Sequence, residues 1–195
     1  GRDEDSALTA LLDYGSRYAR VLRPANLPFH APQDVSAFKV VERLKGNATT
    51  DFGAPDASPS DDKQPLKDAE FGRLQAVLKS CWQAFDEAVR AAKGKELRKG
   101  PRGGGRELDG IVEHVIGSEL AYLASLGWKV SVDDNAGRDL KQIRQESLEA
   151  ARASAAGEIP KRGPRGGVRW TARYFVRRVA WHVLDHAWEL EDRVR

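Results

Sequence analysis

Three features of the chain predict a mainly α fold, an up-down-up-down four-helix bundle with a small N-terminal α/β appendage. From residue 66 onward, apolar residues recur at helical spacing through four long stretches. Short Gly-rich or polar connections join those stretches, and short connections favour antiparallel neighbours. Ahead of them, residues 47–65 (NATTDFGAPDASPSDDKQP) are rich in Asp, Ser, Pro and Gly and read as a loop. The expected organisation is a small α/β appendage over 1–50, a linker over 51–65 and the bundle over 66–195.

Residues 5–23 (DSALTALLDYGSRYARVLR) predict a first helix, with Leu8, Leu11, Leu12, Gly15, Tyr18, Ala19 and Leu22 at helical spacing and Pro24 and Pro28 ending it. Residues 38–46 (FKVVERLKG) are β-branched and partly alternating, which predicts a strand. The first bundle helix is expected over about 66–93, on the stripe Phe71, Leu74, Leu78, Cys81, Trp82, Phe85 and Val89. The second, about 106–127, carries Leu108, Ile111, Val112, Val115, Ile116, Leu123 and Leu126, and Gly127 stops it. The third, about 137–156, sets Leu140, Ile143 and Leu148 among alanines, and the fourth runs over about 170–194. On a helical wheel, His182 and His186 of the fourth helix share a side with Phe175, Val179, Val183 and Leu190.

Composition narrows the function classes. The chain has 195 residues, 41% hydrophobic and 31% charged, which describes a folded globular protein rather than a disordered one. No apolar run approaches the roughly 20 residues of a membrane span. Cys81 is the single cysteine, so a disulfide scaffold is excluded; with no signal-peptide pattern, a cytoplasmic setting is expected. The chain begins at Gly1 without a Met, which leaves open a start inside a domain. The net charge of +3 is too small for general nucleic-acid binding, yet basic residues cluster at 93–106 and 160–169, which allows a local anion site.

The chemistry rests on histidine. Of four histidines, His30 lies in a Pro-rich loop, His114 lies in ELDGIVEHVIGSEL, and His182 and His186 lie in RVAWHVLDHAWELEDR. Positions i and i+4 share a helix face about 6 Å apart along the axis, so two imidazoles can share an ion. Were His114 to reach them from a neighbouring helix, three neutral nitrogens would leave coordination positions open, the arrangement of a catalytic rather than a structural site. Imidazole also suits Ni, Fe and Cu. Val183 stands where an HExxH motif needs Glu, so a zincin-type peptidase is not indicated.

The runs IVEHVIGSE and WHVLDHAWELEDR resemble the DinB-like superfamily of four-helix-bundle metalloenzymes, over about residues 66–195. The specific part is one His on the second bundle helix plus HxxxH on the fourth. The resemblance implies His114, His182 and His186 as ligands of a divalent metal, zinc or nickel above all. It implies metal-assisted thiol chemistry, an S-transferase or isomerase using mycothiol, bacillithiol or glutathione. The first 50 residues faintly resemble a HicB-type module. Expected partners are a small acidic thiol or an electrophilic small molecule, with a second copy of the chain also allowed; neither a membrane nor nucleic acid is expected.

Other residues complete the expectation. GPRGG occurs at 100–104 and at 163–167, each time ahead of a His-bearing helix. In an up-down-up-down bundle both loops meet at one pole, so Arg102, Arg106, Arg165 and Arg169 would rim the pocket and bind an acidic cofactor thiol. Catalytic residues are not identified, but two candidates stand out. Arg178, one turn before His182, can hold a substrate carboxylate or make a surface ion pair. Glu189 can orient an imidazole, act as a base or end the helix in solvent. Cys81 reads as a packing thiol. Competing readings are a non-catalytic metal- or ligand-binding module and, on the Arg-rich loops, a nucleic-acid-associated protein.

Overall fold

A computed structural model describes residues 2–51, 53–99, 105–130 and 139–195. It is mainly helical and divides into two units, Gly1–Pro59 and Ser60–Arg195.

In the first unit, helix α1 (Glu4–Leu22) starts where the Asp3 side chain accepts the Ser6 N–H. It passes at Arg23–Ala25 into a 3-10 turn that ends on Asn26 in the left-handed conformation. The chain then returns along α1, where Phe29 meets the edge of Tyr18. Gly15 permits this return, because a Cβ there would stand 3.1 Å from the Ala31 Cβ. Helix α2 is the single turn Ala48–Asp51.

The strand expected at 38–46 does not form: the described residues give it no ladder partner. An extended segment gains its stability from paired neighbours, and this one has Val40, Val41 and Leu44 exposed. Its anchoring is electrostatic, through Arg43, which holds Glu4 with two bonds of 2.8 and 2.7 Å. The N-terminal unit is therefore not the α/β appendage expected from sequence.

The second unit is a bundle of α3 (Asp68–Ala92), α4 (Leu108–Leu126), α5 (Leu140–Ala155) and α6 (Ala172–Arg193). It begins earlier than residue 66. A 3-10 turn at Ser60–Lys63 buries Asp62 and pairs it with Arg177 at 2.6 Å, so this stretch belongs to the bundle rather than to a linker. Helix α6 is central: Tyr174, Phe175, Val176, Val179, Val183, Leu184 and Leu190 are buried around its circumference. Against it pack Leu78 and Phe85 of α3, Ile111, Val115, Leu123 and Leu126 of α4, and the Ala150–Ala151–Ala153 side of α5. Small residues bring α5 close where its few large apolar residues could not.

The helix directions differ from the expected order. Glu70 near the start of α3 pairs with Arg173 at the start of α6, and beyond their ends Leu97 bridges Val194, so these two helices are parallel. The Trp170 N–H before α6 donates to Ser125 near the end of α4, whereas Arg193 at the end of α6 donates to the Arg106 carbonyl before α4; these two helices are antiparallel. Arg144 in the second turn of α5 holds Asp86, late in α3. Within a few residues of its end, α5 reaches Pro160, whose carbonyl accepts from Arg169 just before α6. Helix α5 is therefore parallel to α4, and the order is up-down-down-up. Residues 127–139 make this possible, since a connection of that length can span roughly 40 Å when extended. The described residues Arg98 and Arg106 of the first basic segment consequently lie at the pole opposite residues 160–169.

Candidate metal centre

Helices α4 and α6 run antiparallel, so the second turn of α4 meets the C-terminal half of α6. This brings His114 onto the His182–His186 side. The three imidazoles offer ligand atoms that all lie within 4.8 Å of one another, with ring centroids 4.6 to 5.1 Å apart. Nε2 of His182 stands 3.2 Å from Nε2 of His114. Two nitrogens bound about 2.0–2.1 Å from one tetrahedral ion stand roughly 3.3 Å apart, so this pair already has the spacing of two ligands. His182 and His186 are buried and His114 is half-buried, which leaves the approach on the α4 side.

Glu189 holds the third ring in place. One carboxylate oxygen lies 2.7 Å from Nδ1 of His186, and the other accepts from Arg193 at 2.6 Å. A carboxylate accepts only, so Nδ1 of His186 is the donor and Nε2 is the ring atom left for a ligand bond. Arg193 is 0% exposed and also donates to the carbonyls of Arg98 and Arg106, both at 2.8 Å. The network thus runs from the imidazole to the backbone of the connection before α4. Hydrogen bonds from His186 and Arg193 hold the Glu189 carboxyl down to about 2 despite burial. Burial, then the neighbouring imidazoles, Arg178 and Arg106, push His182 down to about 3. His114 is also lowered, by burial, His186 and Arg106. Both rings are neutral near pH 7, the state a metal ligand requires. Nδ1 of His182 is buried with no partner among the described residues.

The remaining candidates separate. Arg178 lies beside the triad, its guanidinium carbon 5.3 Å from the Tyr122 ring and 4.8 Å from that of Trp181. Tyr122 in turn stands 5.6 Å from His182. Arg106 is exposed near the start of α4, on the side of the triad, while Arg102 lies outside the described residues. Arg165 and Arg169 sit in the turn before α6, at the far pole, so they do not share a rim with Arg106. The cause is the parallel course of α4 and α5. Arg169 has a structural contact there: its guanidinium lies against Gly127, where a Cβ would come within 2.4 Å of Nε. Gly127 itself closes α4 with a φ of 95°, a conformation that favours glycine. Cys81 is a packing thiol, buried and pushed up to about 12.

A second buried polar centre involves Glu119 of α4, which is 0% exposed. The Trp82 indole donates to its Oε1 at 3.0 Å, and Oε2 has no partner among the described residues. Burial raises this carboxyl to about 7. Arg144 lies over Trp82 but gives its hydrogen bonds to Asp86. The sequence carries a signal for this centre, since Glu119 stands at i+4 from Val115 and i−4 from Leu123 on the apolar stripe.

Comparison with protein families, curated proteins and solved structures returns no match for the chain. No described helix is long and apolar enough to cross a membrane.

Proposed function

We propose that this protein is a metal-dependent enzyme of the DinB-like type, with one divalent ion held by His114, His182 and His186. The observation that carries the reading is the convergence of three imidazoles, one of them oriented by a buried carboxylate–arginine pair. Zinc and nickel are the preferred ions, on the resemblance of the motifs. Bound there, the ion would supply Lewis acidity that lowers the pKa of a thiol or water and readies it as a nucleophile. The chain's own residues fix the site. Glu189 sets the tautomer and angle of His186, Arg193 holds Glu189, and half-buried His114 leaves a side open for a small molecule. The proposed co-substrate is a low-molecular-weight thiol in a cytoplasmic setting, and the proposed reaction is S-transfer or isomerisation of an electrophile.

Two observations disfavour a nucleic-acid partner. Arg106 and Arg165 lie at opposite poles, and Trp170, the aromatic beside the second basic segment, is engaged with Tyr122 and Tyr174.

Elemental analysis of untagged protein, purified without chelator, tests the metal. One ion per chain is expected, and His186→Ala should lose it while remaining folded. Added Zn²⁺ should stabilise the wild-type fold by about 2.7 kcal/mol at a hundredfold excess over its Kd. Neither stoichiometric metal nor Zn²⁺ stabilisation would sink the reading. Metal without turnover of a chloro-aromatic electrophile in the presence of mycothiol, bacillithiol or glutathione would favour a non-catalytic metal-binding module.

A further inference from the structure

Arg178 is placed and left unsatisfied in a way that packing alone does not require. Its Nη1 is buried with no hydrogen-bond partner among the described residues, and a buried, unsatisfied donor on a charged group costs stability. Its carbon sits over the rings of Tyr122 and Trp181. Neither ring offers its N–H groups an in-plane acceptor, and a planar carboxylate meets a guanidinium through those edge donors. One turn further along the same helix is His182, whose ring is also close to Tyr122.

The local charge points the same way. Glu189 is the carboxylate bonded to the triad, and its charge is matched by Arg193. A divalent ion on the three imidazoles would therefore add to the field of Arg178 and Arg106 with no matching anion in the network. Such a site favours a ligand that brings negative charge.

We propose, building on the metal-site reading above, that Arg178 is the anchor for a carboxylate of the molecule the centre binds, with its apolar part against Tyr122 and Trp181. The ligand class is a small organic acid. The acid group docks on Arg178 while the rest of the molecule extends toward the open side of the triad.

The test is titration of the protein, with and without Zn²⁺, with acetate, benzoate and benzamide, followed through the Trp181 indole N–H resonance. Zinc binding is measured separately by calorimetry. Benzoate is expected to bind at least about tenfold more tightly than benzamide, the scale of one charge-assisted hydrogen bond. Arg178→Gln should erase that preference without weakening zinc binding. Arg178→Lys should retain only part of it, because an ammonium cannot pair in plane. The anchor is overturned if neither acetate nor benzoate shifts the resonance, or if the preference survives in Arg178→Gln, which would place the acid on the ion. Failure of zinc to bind would refute the metal reading alone. The zinc-free arm then decides the anchor by the same benzoate preference and its loss in Arg178→Gln.

Discussion

The bundle buries two polar centres, and they are satisfied in different ways. Around Glu189 and Arg193, charges are opposed, hydrogen-bonded and tied to backbone carbonyls, yet three imidazole nitrogens remain directed at one another. Around Glu119, one indole meets one carboxylate oxygen, and the other oxygen has no partner among the described residues. A lone carboxyl can meet burial by keeping its proton, and burial raises Glu119 to about 7, so it keeps its proton over a wider pH range than an exposed carboxyl. His114 and His182 are instead held in the neutral form, by burial first, so protonation is not their remedy. Convergent imidazole nitrogens on a prearranged support could hold a cation, whereas an isolated buried carboxyl meets its burial through its own proton.

The sharpest way to break this contrast is to remove the support of the first centre. Arg193→Met should destabilise the fold by about 3–5 kcal/mol in urea unfolding, because Glu189 is left as a buried charge without its partner. The carbonyls of Arg98 and Arg106 lose donors as well. A cost below about 1 kcal/mol would mean that Glu189 and Arg193 behave as a solvated helix end. That is one of the meanings a charged tail such as ELEDR carries in sequence.

The second centre should respond to pH. Its folded pKa of about 7 lies above the ordinary 4.5, so over that interval the native state keeps a proton that the unfolded chain releases. The protonated group fits the core below about pH 4.5, and stability is lost as pH rises through about 7. Glu119→Gln removes the ionisation and keeps an acceptor for Trp82. It should therefore stabilise the protein by up to about 3 kcal/mol near pH 8 and have little effect near pH 5. Urea melts at the two pH values check this. A gain equal at both would show that burial of the charge is not the cause.

Much of the first centre was legible in the sequence, and much of its surroundings was not. Helix bounds follow from 3.6-residue periodicity and fall within a few residues of those observed. The facing of His182 and His186 follows from the same wheel, because Val179, Val183 and Leu190 fix which side is inside. The helix order did not follow. Periodicity carries no direction, and the preference for antiparallel neighbours fails at the connection over residues 127–139. That one error placed Arg165 and Arg169 beside Arg106. The strand at 38–46 failed for a related reason, since a β pattern says nothing about whether a partner strand exists. Glu119 and Arg193 were missed because a charged letter on an apolar stripe or in a terminal run reads as solvated, and only packing shows otherwise.

The smallest expected effect separates the near loop from the far one. Arg106 lowers the pKa of both His114 and His182, so Arg106→Ala should raise both in the zinc-free protein. The shift should shrink as salt is added, because Arg106 is exposed and its field is screened. Arg165 precedes α6, and from the start of that helix to His182 is about 15 Å along the axis. That exceeds the screening length of about 10 Å in 0.1 M salt. Arg165→Ala should accordingly leave both rings untouched, and neither variant should move Glu119. Histidine ring resonances followed through a pH titration give the answer. An equal response to both substitutions would return the two loops to one pole and undo the up-down-down-up order.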